Sequence, residues 1–147
     1  MVSSYAEMEQ GIGQALAPLE AEGVKVIPFP DKPGNIGRPQ AASQIVYGFK
    51  QESFSVPQGK NIVYTTMTQT RRMEFEILLQ LKDLRSHTGV YAMMNRIREL
   101  LSGLRVDPKL DRVLYQLAAE PLSSSEGIWQ FVMTFAVDLY YQKKNYA

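Results

Sequence analysis

Side chains able to do chemistry are few in this sequence, and their spacing gathers them into no recognisable site. There is no cysteine, which removes thiolate nucleophiles, disulfides and nearly all structural zinc sites together. His87 is the single histidine, so a centre of two or three imidazoles, or a histidine-dependent triad, has no material within one chain. A place near a helix start is its ordinary role. Glu74 and Glu76 alternate along an extended run, where side chains two apart share a face at about 7 Å, within reach of an acid/base pair. Lys82 and Asp83 follow, and that mixture of charge describes a solvated sheet face or an interface rim better. Gly11-Ile12-Gly13 is a piece of a glycine-rich loop, but it lies inside a helical pattern, follows no strand and lacks the third glycine. Lys32 and Arg38 flank a glycine-bearing stretch that could cradle a phosphate, yet no Gly-Lys-Ser/Thr follows. Ser123, Ser124 and Ser125 form a polar tip without a base or an oxyanion donor nearby. The expectation is a protein that is not an enzyme, with no catalytic, metal or cofactor-binding residues.

The most suggestive charges are Arg71 and Arg72. Neighbouring strand residues point to opposite faces, so one can meet solvent or a partner while the other abuts the core edge. Their strand must come first. Met73, Phe75, Ile77, Leu79 and Leu81 alternate with Glu74, Glu76, Gln80 and Lys82, which is a strand with one buried face. Upstream, residues 63–72 continue in a polar register through Thr68, Gln69 and Thr70, predicting a strand that projects beyond the sheet and needs a partner. Thr68, Thr70, Arg71 and Arg72, with Lys32 and Arg38 from the loop, are therefore the candidate subunit-interface residues. Reversing the charge of both arginines is expected to impair assembly more than folding.

Around that strand, Ser3 or Ser4 can cap a first helix whose Ile12, Leu16 and Leu19 share a face, and Gly23 ends it. Residues 24–29 read as a short strand, 30–39 as an irregular proline-glycine loop, 43–49 as a strand and 51–60 as another loop. Residues 86–88 offer caps for a second helix with a wide apolar stripe, from Val90 through Met93, Met94, Ile97, Leu100 and Leu101 to Leu104, closed by Gly103 and Pro108. Residues 112–119 and 128–142 read as an antiparallel pair joined by 120–127. In the last strand Trp129, Phe131, Met133, Phe135, Val137, Leu139 and Tyr141 share a face, a run long enough to suggest that part of it meets another subunit. Trp129→Ala should cost roughly 3 to 5 kcal/mol if the ring is fully buried.

Composition sets the class. The 147 residues suit one domain, with 45% hydrophobic and 21% charged residues, as in globular chains. Sixteen basic against fifteen acidic residues leave too weak a field for dedicated nucleic-acid binding. No apolar run reaches the ~20 residues of a membrane-spanning helix, and the start lacks the pattern of a signal peptide, so folding in the cytoplasm is expected. The fold expected is α+β, a mixed, mostly antiparallel sheet.

The order of elements, carried by Val24-Lys25-Val26, by Arg71-Arg72-Met73-Glu74-Phe75-Glu76-Ile77, by His87-Thr88-Gly89-Val90-Tyr91 and by Ile128-Trp129-Gln130-Phe131, resembles the tail terminator proteins of long-tailed phages and related contractile injection particles, including those of lambda and Mu-like phages. The resemblance implies a lambda-terminator-like subunit with helices packed on one side of the sheet. Six such subunits close into a ring at the head-proximal end of the tail tube, ending tube polymerisation and joining tail to neck. It implies contacts with the tube protein, the neck or connector protein and, in contractile tails, the sheath, with DNA passing through the lumen without specific binding. Residues 63–72 and 30–39 would serve as arms. The place of such a protein is the virion tail, after assembly in the host cytoplasm. Two other readings stand beside it: another neck or tail-completion protein, and a small-molecule-binding or regulatory α+β domain.

Overall fold

The computed structural model describes residues 5–29, 43–56, 66–82, 89–105, 112–122 and 128–144. The elements are helix α1 (Tyr5–Leu16), a 3-10 segment (Ala17–Glu22), strands β1 (Lys25–Pro28), β2 (Ser43–Phe54) and β3 (Thr66–Lys82), helix α2 (Val90–Leu101), and strands β4 (Tyr115–Pro121) and β5 (Ile128–Lys144). They form one five-stranded sheet in the order β1-β2-β3-β5-β4. β1 runs parallel to β2, and every other pairing is antiparallel. This is the expected α+β fold with a mixed, mostly antiparallel sheet.

Alternation in β3 decides which face is buried. Met73, Phe75, Ile77, Leu79 and Leu81 join Ile45 of β2 and Met133, Phe135, Val137 and Leu139 of β5 in one apolar cluster. Met8, Ile12 and Leu16 of α1, Leu19 beyond it, and Val90, Ile97 and Leu101 of α2 complete the cluster, so both helices pack on this side. The i, i+4 spacing of Met8, Ile12 and Leu16 puts them on one stripe. Gly23, at φ 89°, turns the chain out of the 3-10 segment and its N–H closes on the Glu20 carbonyl at 3.1 Å. The left-handed backbone there is open to glycine without a Cβ penalty.

Gly13 of the Gly11-Ile12-Gly13 segment has a packing explanation. A Cβ on Gly13 would lie 2.2 Å from the Tyr47 hydroxyl oxygen, so the missing side chain lets α1 approach β2 over that ring. On the far face of the sheet the Phe29 ring lies on Gly48 in the same way, 2.3 Å from where a Cβ would stand. Val46, Leu78 and Val132 form a smaller cluster there, with Ile27 and Phe29 against it. Beside it the amide of Gln44 donates to Gln80 Oε1 at 3.0 Å and that of Gln80 to Gln130 Oε1 at 3.0 Å. This ladder links three adjacent strands at one level, and a one-residue slip of any of them would break it.

Several expectations are corrected. Residues 51–54 are strand, not loop: past a register shift between Phe49 and Gln51, β2 goes on pairing, Gln51 with Glu74 and Phe54 with Arg71. A polar stretch reads as loop from one chain, but opposite a polar stretch of β3 it forms a solvated ladder. The strand of the last third opposite β5 is Tyr115–Pro121, shifted from 112–119. Gly89 occupies the N-cap of α2 without a side-chain cap, and residues 83–88, His87 included, lie outside the described residues, as do 30–42 and 123–127. The apolar face of β5 is largely covered within the chain: Met133, Phe135, Val137 and Leu139 are buried under the helices, while Trp129 and Phe131 are half-buried at their margin.

Phe135→Ala should therefore cost about 4 kcal/mol and the half-buried Trp129→Ala only about 2. Urea unfolding of the two variants checks this ordering, and an equal or larger loss at Trp129 would contradict the burial described.

Candidate functional site

The candidate site grows out of the β3–β5 pairing. The two strands stay in register for their whole length, from Lys82 opposite Ile128 to Thr66 opposite Lys144. β2 leaves after Phe54, where Ser55 N–H still donates to the Thr70 carbonyl at 2.9 Å and the Thr70 N–H to Ser55 Oγ at 2.9 Å. From the Thr70–Tyr140 level outward to Thr66 and Lys144, β3 and β5 continue, among the described residues, as a two-stranded ribbon of about 14 Å at ~3.4 Å per residue. The expected single projecting strand is thus corrected. Its partner is the end of β5 in the same chain, which supplies the hydrogen bonds an isolated strand would lack.

The predicted residues divide by face. Thr68, Thr70 and Arg72 alternate onto the far side of the sheet, and Arg71 onto the helix side. Lys32 and Arg38 lie outside the described residues. Both arginines are engaged within the chain. Arg71 Nε donates to Glu52 Oε2 at 2.8 Å, with both side chains mostly buried, and its guanidinium stands 5.5 Å from the Tyr5 ring centre. Tyr5 OH donates to the other Glu52 oxygen, and its ring meets Phe49 edge-on at 4.9 Å. The start of α1 is thereby tied to β2 and β3 at the base of the ribbon. On the other face Arg72 Nε donates to Asp138 Oδ1 at 2.9 Å and Tyr115 OH to Asp138 Oδ2 at 2.9 Å.

These contacts set the titration of the groups. Burial pushes the Glu52 carboxyl up, but hydrogen bonds from Tyr5 and Arg71, with the Arg71 charge, outweigh it and hold the group below its ordinary value. The hydrogen bond to Glu52, more than burial, raises the Tyr5 phenol. Burial first, and then the bond to Asp138, raises Tyr115. Such shifts belong to structural ion pairs as readily as to catalysis. Here the groups face one another.

The sequence reading missed the apolar surface at the ribbon base. Val56, 69% exposed, and Tyr140, 63% exposed, lead the exposed large apolar side chains. On the helix side Phe54 and Tyr141 meet edge to face at 5.8 Å, and on the far side the Arg112 guanidinium lies 4.7 Å from the Tyr140 ring centre. The tyrosine doublet was the available signal, since adjacent strand residues face opposite sides and at least one ring at a sheet end is left uncovered. Half-exposed aromatics with arginine are the composition of protein interfaces.

The profile of the Gp37 protein family matches residues 16–144. The chain belongs to this family of phage proteins. The match begins at the end of α1 and takes in the sheet, α2 and the ribbon. No curated protein matches the chain. In this Gp37-family chain no helix among the described residues is long and apolar enough to cross a membrane, and no group of three or more potential metal ligands occurs among them.

The Glu52 contacts yield a pH-dependent prediction. A carboxyl held below its ordinary 4.5 in the fold contributes stability that is present above that value and is lost as pH falls through the folded-state value. Glu52→Gln should lower stability at pH 7 by about 1 kcal/mol and flatten the acid limb of stability against pH. Equal acid limbs in wild type and variant would contradict the assignment. Arg71→Glu would set two carboxylates together and weaken folding as well, so charge reversal at Arg71 and Arg72 does not separate assembly from folding.

Proposed function

We propose that this phage protein is a structural subunit of the virion tail, a terminator that forms a six-membered ring on the head-proximal end of the tail tube and meets the neck. The observation that carries the reading is the ribbon with uncovered aromatic and apolar side chains at its base, an arm built to reach beyond the subunit. The element order that resembles tail terminators supports it, as does membership of a phage protein family. The function requires self-association and docking on the tube, and no chemical step. A near-neutral net charge of +1 suits a lumen through which DNA slides without being held.

In the same reading, contacts to the tube protein, the neck or connector and, in a contractile tail, the sheath fall to the arm and to the faces of the ring. A ring of identical subunits needs two different complementary patches on each copy. Tyr140, framed by Arg72 and Arg112 on the far face, offers the arm an aromatic contact for a partner.

Light scattering of the purified protein, alone and with assembled tubes, followed by electron microscopy of tube ends, tests the proposal. A sixfold ring on one tube end is the expected result, and a persistent monomer that ignores tubes would overturn it. Val56→Ser combined with Tyr140→Ser should leave folding stability within about 1 kcal/mol of wild type while reducing tube capping at least tenfold.

A further inference from the structure

β1 and β4 are the edge strands of the sheet, and among the described residues no strand pairs with either outer side. β1 borders an open cleft of about 440 Å³ lined by Glu20 and by the consecutive residues Gly23, Val24, Lys25, Val26 and Ile27. A cleft walled by one unpaired strand edge has the form that receives a further extended segment. β4 is exposed from Leu117 to Pro121, with Leu117 42% exposed, and its small Ala118 and Ala119 leave the backbone accessible.

We propose that the outer edge of β1 in one copy pairs with the outer edge of β4 in a second copy, continuing the sheet from subunit to subunit. This rests on the ring reading above and names the contact that closes the ring. Within one chain the two edges are four strand spacings apart, roughly 19 Å, so they can meet only between copies. Strand direction agrees. β2 is parallel to β1, and the three following pairings are antiparallel, so β4 runs opposite to β1. Rotation about an axis lying along the strands preserves direction, and β4 therefore arrives antiparallel to its neighbour's β1. The helices of both copies then lie on the same side.

Register follows from the faces. Val26 packs against the helix-side core and Ile27 against the far-face cluster. Ala119 lies opposite Met133 and so on the helix side, and Ala118 opposite Thr134 on the far side. Setting Val26 against Ala119 and Ile27 against Ala118 matches both faces and brings Lys25 opposite Glu120, unlike charges in a cross-strand pair. A one-residue slip would mismatch every face. Pro28 and Pro121 end the two strands and keep the join short, which suits an edge meant for one partner rather than for open aggregation. Six five-stranded sheets at about 4.8 Å per strand would make a wall roughly 46 Å across its backbone, and wider with strand tilt.

The absence of native cysteine makes the test direct. Val26→Cys combined with Ala119→Cys in one chain, assembled and then oxidised, should give a thiol-reversible ladder of covalent oligomers ending at the ring number. Val26→Cys combined with Ala118→Cys, whose thiols would face opposite sides, should give at least tenfold less. In a second measurement, Lys25→Glu should weaken assembly and the added Glu120→Lys should restore it. Rings seen by microscopy without cross-links or rescue would overturn edge pairing while leaving the terminator reading intact. Cross-linked oligomers that never cap tubes would support edge pairing and overturn the terminator reading. Monomers throughout would overturn both.

Discussion

The pairing of β3 with β5 is the constraint on which the other features depend. Seventeen residues of each strand run antiparallel without a register shift. Because side chains alternate with period two, this one register places Met73 beside Val137, Phe75 beside Phe135 and Ile77 beside Met133 on a single face. That face is too apolar to remain in water and draws α1 and α2 onto it. A slip by one residue would turn the same side chains outward and leave the helices with nothing to bury.

The same pairing outruns the sheet at one end, and the polar contacts cluster where the core stops. Tyr5, Glu52 and Arg71 bind α1 to β2 and β3 on one face, and Arg72, Asp138 and Tyr115 bind β3, β5 and β4 on the other. Their worth is modest where they touch water. Their geometry matters more, because they hold the root of the ribbon on both faces and so fix the direction in which the arm leaves the body. The glutamine ladder does comparable work at the opposite end, beside β1, where Gln44, Gln80 and Gln130 keep three strands level. One molecule thus carries an arm at one end and two unlike strand edges, β1 and β4, and unlike surfaces are what a head-to-tail ring requires.

Much of the fold was legible because periodicity reports burial directly. The alternation of residues 73–81, the stripes of both helices and the position of Gly23 each name a core face or an element end, and the structure contains them. The candidate site was legible in part. Arg71 and Arg72 were located by the change from apolar to polar register, and that change does mark the ribbon base. Their partners Glu52 and Asp138 lie 19 and 66 residues away in the chain, and a single strand holds no signal for which distant carboxylate will stand beside it. The uncovered Val56 and Tyr140 escaped notice because exposure is a property of what packs nearby, which pattern alone does not count.

By itself, then, the amino-acid sequence determined the α+β class, the buried faces of β3, β5, α1 and α2, and the absence of cysteine chemistry, since each follows from residue type and local period. Only the tertiary structure decided the sheet order, the parallel pairing of β1 with β2, the partner of the polar stretch before Arg71 and the two strand edges left open. Those depend on which strand meets which across tens of residues. That choice is made by the summed fit of whole faces and edges, and no local pattern encodes it.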